Sequence, residues 1–307
     1  MPIILPEGLP AGDVLRGEGF TVLSPAGAAG LRPLEVLLVN LMPNKLDTEL
    51  QLARVLAGSP LPVRLTLLHT ASHGSTHVPA GHLERFYGTL ADVQARSFDG
   101  IIITGAPIEL MPFEAVDYWP ELLDILDYAR AHARSVLYLC WAAMAALRQR
   151  HGIEKRVLPR KLHGVFEHRA PLPHHPLMQG IDDRFWVPHS RSAAVDIDAV
   201  AAIPGMSILA ESDEAGLHIA ATEGAREIFI FGHSEYDSGT LWNEYNRDLD
   251  KNPHAAIPRN YFYGDDPENG VHLRWRAAGR LFYLNWMHLL FAQSEQKASS
   301  CTACNIA

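Results

Sequence analysis

The chain is 307 residues long, 48% hydrophobic and 20% charged, a balance that allows a substantial buried core and excludes a disordered or fibrous polymer. Its formal net charge of -9 and the lack of a long Lys/Arg run argue against a nucleic-acid surface, whose affinity comes from neutralising phosphates. The opening Met1-Pro2-Ile3-Ile4-Leu5-Pro6 lacks the basic region and apolar run of a secretory signal, and no later stretch holds about 18 uninterrupted apolar residues; a cytoplasmic protein with no membrane partner is expected.

Residues 36–39 and 63–68 are short apolar runs rich in branched side chains, the pattern of buried strands. Between them, residues 49–57 have helical spacing and stop at Gly58. The strand pattern returns at 101–104 and 136–139. Between these, Pro120 sits near the start of a helix that carries Leu122, Ile125, Leu126 and Ala129 on one stripe. Strands alternating with helices predict an α/β protein with a mostly parallel sheet flanked by helices. Further on, the prolines of 171–176 and the polar stretch 243–269 read as long functional loops. Residues 219–221 and 228–231 add strands, and 275–293 reads as a closing helix. With no repeat or interdomain linker, residues 1–295 read as a single domain and 296–307 as a flexible tail. Cys301 and Cys304 in that tail have CxxC spacing without the two further ligands a zinc site normally uses. His168, His174 and His175 lie close in sequence but lack helical ligand spacing and acidic partners, so no metal site is expected.

The chemistry begins at Ser135-Val136-Leu137-Tyr138-Leu139-Cys140-Trp141-Ala142-Ala143, a strand running straight into an Ala-rich helix with cysteine at the junction. At a helix N-terminus the dipole and backbone N–H groups favour a thiolate and can bind a developing oxyanion. On that segment alone, a buried small hydrophobe is an equally good reading of Cys140. The balance shifts at Ile228-Phe229-Ile230-Phe231-Gly232-His233-Ser234-Glu235, where a second strand ends in His and Glu two residues apart. Extended residues i and i+2 point the same way, so the imidazole and carboxylate can meet. Open α/β sheets hold ligands beyond the carboxyl ends of their strands, where all three groups would project. His233 would then be the base for the thiol and Glu235 the residue that orients it.

Long motifs in one order carry a resemblance across most of the chain. They include Leu34-Glu35-Val36-Leu37-Leu38-Val39-Asn40-Leu41-Met42-Pro43-Asn44-Lys45, Thr104-Gly105-Ala106-Pro107, Cys140-Trp141-Ala142 and Pro188-His189-Ser190-Arg191. Gly232-His233-Ser234-Glu235-Tyr236-Asp237, Glu244-Tyr245-Asn246-Arg247-Asp248 and Asn285-Trp286 continue the series. With these motifs the chain resembles the homoserine O-acyltransferases of methionine biosynthesis, which have a class I glutamine amidotransferase-like fold.

That resemblance implies a Cys140 thioester, with His233 as base and Glu235 completing the triad, and substrate contacts at Lys161, Ser190 and Arg247. It also implies that Glu109 sets the acyl group, since Glu accompanies acetyl transfer in the family and Gly accompanies succinyl transfer. A glutamate would fill the space of a longer acyl chain and repel a distal carboxylate. The expectation is therefore transfer of acetyl from acetyl-CoA, as co-substrate with no permanent cofactor, to L-homoserine by a ping-pong route; the family also allows a homodimer. O-succinyl transfer and an L-serine acceptor are the competing readings, with a cysteine amidohydrolase or nonenzymatic binding protein more remote. Ser192, where the family has Tyr, and Ala277-Ala278, where it has Ser-His, bear on the acceptor or acyl pocket. Lys45, at a strand end, reads as a phosphate contact, a loop support or a surface lysine.

Overall fold

The computed structural model describes residues 2–74, 78–250 and 252–304, with side chains to residue 295. Its contacts gather into two compact units, residues 1–104 with 116–137 and 283–307, and residues 105–115 with 138–282.

The first unit contains β1 (Ile3–Ile4), β2 (Val22–Leu23), β3 (Leu34–Val39), β4 (Val63–Leu68), β5 (Tyr87–Gly88) and β6 (Phe98–Ile103), together with most of β7 (Ala133–Leu139). Its strand order is β2-β1-β4-β3-β6-β7, with β5 paired to β4, and the pairings among β1 to β6 are parallel. Strands covered on both faces must be apolar throughout, which explains why Val36 to Val39 and Ile101 to Ile103 form unbroken runs with almost no exposure. Each such side chain contributes roughly 1.5–3 kcal/mol by leaving water.

The unit's helices are α1 (Pro10–Gly17), α2 (Lys45–Ala57), α3 (His82–Phe86), α4 (Leu90–Val93) and α5 (Trp119–His132). Helix α2 starts four residues before the sequence spacing places it. Asn44 caps it by accepting from the Asp47 N–H, so the polar first turn is helical although its apolar stripe begins later.

The second unit holds α6 (Trp141–His151), β8 (Arg156–Arg169), β9 (Arg184–Ala194), α7 (Ile197–Ala201), β10 (Met206–Ser212), β11 (Gly216–Thr222), β12 (Glu227–Ile230) and α8 (Thr240–Leu249). Its order is β12-β11-β10-β8-β9, antiparallel throughout. Helix α9 (Arg276–Cys304) runs from this unit into the first. The tail expected at 296–307 shares its backbone with α9 as far as Cys304; the cysteine side chains there and residues 305–307 lie outside the described residues. Helix α8 occupies part of the stretch that the sequence reads as loop. Among the described residues, no helix is long and apolar enough to cross a membrane.

Candidate active site

Cys140 stands between β7 and α6 with φ 52 and ψ -112, a backbone region that costs a non-glycine residue about 1–3 kcal/mol and persists only where its surroundings enforce it. Here the Cys140 N–H donates to the Ile230 carbonyl at 2.6 Å, tying the elbow to the end of β12. Behind it Ala142, Ala143, Ala145 and Ala146 are fully buried, so α6 leaves the elbow through dense packing. Gly105 closes the other side. A Cβ there would stand 3.1 Å from the Cys140 Cβ and 3.2 Å from the Trp141 nitrogen, tighter than side chains normally tolerate.

His233 follows β12 and is nearly buried. Its own N–H donates to the Pro188 carbonyl at 2.8 Å, and the preceding Gly232 N–H donates to His218 Nδ1 at 3.2 Å. Gly232 is obligatory on steric grounds, since a Cβ would fall 2.5 Å from Val187 and 2.7 Å from the His189 ring. The His233 Nδ1 lies 2.7 Å from Glu235 Oε1, which fixes the ring, and the imidazole also shares a hydrogen bond with the Cys140 side chain. Burial alone would strip its proton. The Glu235 charge and the hydrogen bonds to Cys140 and Glu235 outweigh that and hold His233 well above the usual imidazole range. The expected i, i+2 arrangement of His and Glu is therefore present, with the sulfur as third member.

Around this trio sit groups that the sequence reading leaves without a role. Tyr236 stacks on His233 with centroids 4.3 Å apart, and its hydroxyl donates to Glu244 at 3.0 Å. Arg191 is almost fully buried on β9, donating to the Ala193 and Ala215 carbonyls. Burial pushes its guanidinium down to about 10, against the opposing charges of Cys140 and Glu109. A period-2 signal could have found it: Phe185, Val187, His189, Arg191 and Ala193 share one buried face, an unusual position for arginine. Beneath the Gly232 turn, His168, His189 and His218 form a cluster that sequence proximity hides. The His168 and His189 rings stack with Nε2 atoms 3.1 Å apart, and burial drives all three histidines below the usual range. His175, grouped with His168 by sequence, instead accepts from the Leu177 N–H.

Glu109 is half-buried in the loop after Gly105 and lies within electrostatic reach of Lys161, His233 and Glu244. Burial raises its carboxyl, and its own backbone N–H with Lys161 and His233 only partly reverse that. Lys161 and Arg247 meet on one carboxylate: Lys161 Nζ is 2.5 Å from Asp248, and Arg247 reaches the same residue at 3.0 and 3.1 Å. Ser190 pairs across the ladder with His163, its Oγ 3.1 Å from His163 Nδ1. Burial and the Lys161 charge push His163 down to about 4. In the first unit, Lys45 is buried and donates to the Asn40 and Met42 carbonyls at 2.6 and 3.3 Å, the geometry of a loop support.

A cysteine on a strand-to-helix elbow, facing a His–Glu pair in an α/β protein, is the arrangement of the glutamine amidotransferase-like class of folds. Solved structures agree on that fold. A glutamine amidotransferase from Thermotoga maritima is similar at TM-score 0.55 and 12% identity, over 84% of this chain and 99% of that one. A glutamine amidotransferase from Methylobacillus flagellatus is similar at TM-score 0.51 and 15% identity, over 85% and 96%. Sequence comparison goes further, since residues 2–297 match the homoserine O-succinyltransferase family. The chain belongs to this family and is an acyltransferase. It is 47% identical to a homoserine O-acetyltransferase of Thermotoga petrophila, over 95% of this chain and 97% of the relative. Against homoserine O-acetyltransferases of Desulfovibrio desulfuricans and Bacteroides fragilis the identities are 47% and 43%, covering 94% and 95% of this chain and 92% and 97% of the relatives.

Proposed function

We propose that residues 1–295 act as a cytoplasmic homoserine O-acetyltransferase of methionine biosynthesis, working by a ping-pong route through a Cys140 thioester. The observation that carries this reading is the Cys140 side chain at a strained elbow, hydrogen-bonded to a His233 that Glu235 holds at 2.7 Å. In the first half-reaction the Cys140 sulfur attacks the acetyl carbonyl of acetyl-CoA while His233 holds the thiol proton. The tetrahedral oxyanion develops beside the start of α6 and the space that Gly105 leaves without a side chain, where backbone N–H groups lower its energy. Collapse breaks the carbon–sulfur bond to coenzyme A, which leaves with the proton from His233. In the second half-reaction His233 takes the proton of the L-homoserine hydroxyl, its oxygen attacks the thioester, and the ester departs as the Cys140 sulfur is released.

Arg247, Lys161 and Ser190 are proposed to hold the acceptor, Arg247 through its carboxylate. The acetyl choice is supported by the three relatives described above, all named acetyltransferases, and by Glu109. Its half-buried carboxyl near His233 would fill the volume and oppose the charge of a succinyl chain. The test is intact-mass analysis after acetyl-CoA is added without acceptor. A one-acetyl adduct on the wild type, absent from Cys140→Ser, is expected; normal turnover with no adduct would replace the covalent route by direct transfer. Comparing acetyl-CoA with succinyl-CoA against L-homoserine and L-serine then fixes both substrates. Glu109→Gly should raise the kcat/KM ratio of succinyl-CoA to acetyl-CoA, and a wild type that prefers succinyl-CoA removes Glu109 from this role.

A further inference from the structure

The second unit holds a cavity of about 1460 Å³, bordered by β8, β9, α7, the β10–β11 turn and the end of α8. Ordinary small-ligand sites occupy roughly 300–1,000 Å³, and an amino-acid acceptor would leave most of this volume empty. Its inner lining includes Arg191, His163 and Phe231. Phe231 directly precedes the Gly232-His233 turn, and Arg191 is within electrostatic reach of Cys140 and Glu109, so this part of the lining approaches the candidate site, whose Cys140, His233 and Glu235 are not themselves in the lining.

The cavity's rim is shaped by an irregularity in β8. Val157 pairs with Ala193 and Leu162 with Arg191, so residues 158–161 oppose Ser192 alone. The excess chain bulges at the rim and carries Arg160 and Lys161, with Arg156 just before it. The charges lining the cavity are mixed, and half of them are already matched. Lys161 is held by Asp248 and Arg259 by Glu214, while Asp213 pairs with Arg169, which is not part of the lining. Arg156 and Arg160 are exposed and engage no carboxylate among the described residues, and Arg191 is bonded only to neutral groups. Asp196, which caps α7, and Asp198 in its first turn also line the cavity, following the Ala194 that pairs with Arg156; Asp196 is occupied in accepting from the Asp198 N–H. Two exposed guanidinium groups without a carboxylate partner, a buried third within electrostatic reach of Cys140, and a cavity far larger than an amino acid match a ligand that carries both phosphates and a thioester.

We propose that this cavity holds the acyl donor, with Arg156 and Arg160 binding the phosphates of its nucleotide end and the acyl thioester lying beside Arg191. The inference rests on the acyl-CoA-dependent transfer proposed above and assigns that donor a place. The Lys161–Asp248 pair lies between the bulge and α8, so the acceptor contacts and the donor share a wall.

The test compares acetyl-CoA with acetyl-pantetheine, which carries the same thioester without the nucleotide, in the wild type and in Arg156→Ala/Arg160→Ala. Both arginines are exposed, so the variant keeps its core. Loss of two charge-assisted contacts should lower the kcat/KM preference for acetyl-CoA over acetyl-pantetheine by at least about 10-fold. Calorimetry with coenzyme A and with adenosine 3′,5′-bisphosphate should show a loss of the same size. If the preference and both affinities survive the double substitution while acetyl transfer is normal, the donor lies elsewhere and the proposed function stands. A wild type that transfers no acetyl group, yet binds coenzyme A through these arginines, would keep the site and overturn the function.

Discussion

Each unit of the molecule buries a histidine against a glutamate, and only the second of these pairs has a proposed role in chemistry. In the first unit His82 Nε2 lies 2.9 Å from Glu49 Oε1, which also accepts from the Tyr87 hydroxyl at 2.6 Å, while Asn40 donates to the same hydroxyl at 2.9 Å. In the second, His233 and Glu235 are 2.7 Å apart. The bonds are alike; the surroundings differ. His82 is hydrogen-bonded within a buried polar network, in which Glu49 Oε1 takes both bonds and Oε2 takes none, with no thiol beside it among the described residues. His233 faces a cysteine held at positive φ, with an unmatched arginine and a large cavity beside it. A buried His–Glu bond is therefore a device for fixing an imidazole, and what the ring faces decides whether it reacts.

Removing the two rings should separate these roles most sharply. His233→Ala is expected to lose about 10²–10⁴-fold in kcat, the usual loss for a general base. His82→Ala should instead cost about 1–3 kcal/mol of stability by leaving the buried Glu49 short of a partner. Comparable losses of turnover per folded molecule in both variants would mean that the first unit's pair also acts in the reaction.

Acid should discriminate next. His163 and His168 are pushed down to about 4 by burial, helped by Lys161 and Arg191 respectively, and His189 and His218 fall well below the usual 6.5. His189 and His218 also face Arg191 and His233. Groups buried neutral bind fewer protons folded than unfolded. Their stabilisation is thus complete above the ordinary imidazole value and is lost as pH falls from about 6.5 towards 4, by up to about 1.4 kcal/mol per pH unit for each ring. Thermal unfolding between pH 7.5 and pH 5 should show Tm falling, and hydrogen exchange should show β8, β9 and β11 opening first. A flat Tm, or first opening in β3 and β6, would contradict this.

The smallest effect is a displaced pH limb. Glu235→Gln removes the charge that holds the His233 proton, so the limb of kcat/KM governed by that ring should move to lower pH, while Glu49→Gln should leave it in place. Equal displacement in both variants would erase the distinction between the pairs.

The two units were also unequally legible in the sequence. Strands covered on both faces are mostly apolar along their length, so β3, β4, β6 and β7 are visible as runs, and the proposed triad is visible because its members sit at strand ends. Strands β8 and β9 are not, for physical reasons. The bulge in β8 breaks its alternation and contains Pro159, β9 contains Pro188 and the buried Arg191, and much of β8 is exposed. Helix α8 hides behind a polar surface because only Leu241 is fully buried along it. Arg191 escaped because its role depends on which face of an unrecognised strand it occupies, and the histidine cluster because β8, β9 and β11 bring its members together only in space.

The segmentation of the first unit has a consequence for how the chain is made. That unit draws on residues 1–104, 116–137 and 283–307, and its closing pieces include Trp286, Met287 and Leu290, all without exposure, with the Trp286 indole donating to Ser135 at 3.0 Å. On a ribosome, therefore, residues 1–104 wait for residues 283–307 before their core can shut. Residues 138–282 draw only on residues 105–115 from earlier in the chain and are complete sooner. Until α9 emerges, the surface of β6 around Gly100, against which Trp286 and Leu290 pack, stays uncovered, so the exposure of this core during synthesis follows from the order of the segments and not from any one weak contact.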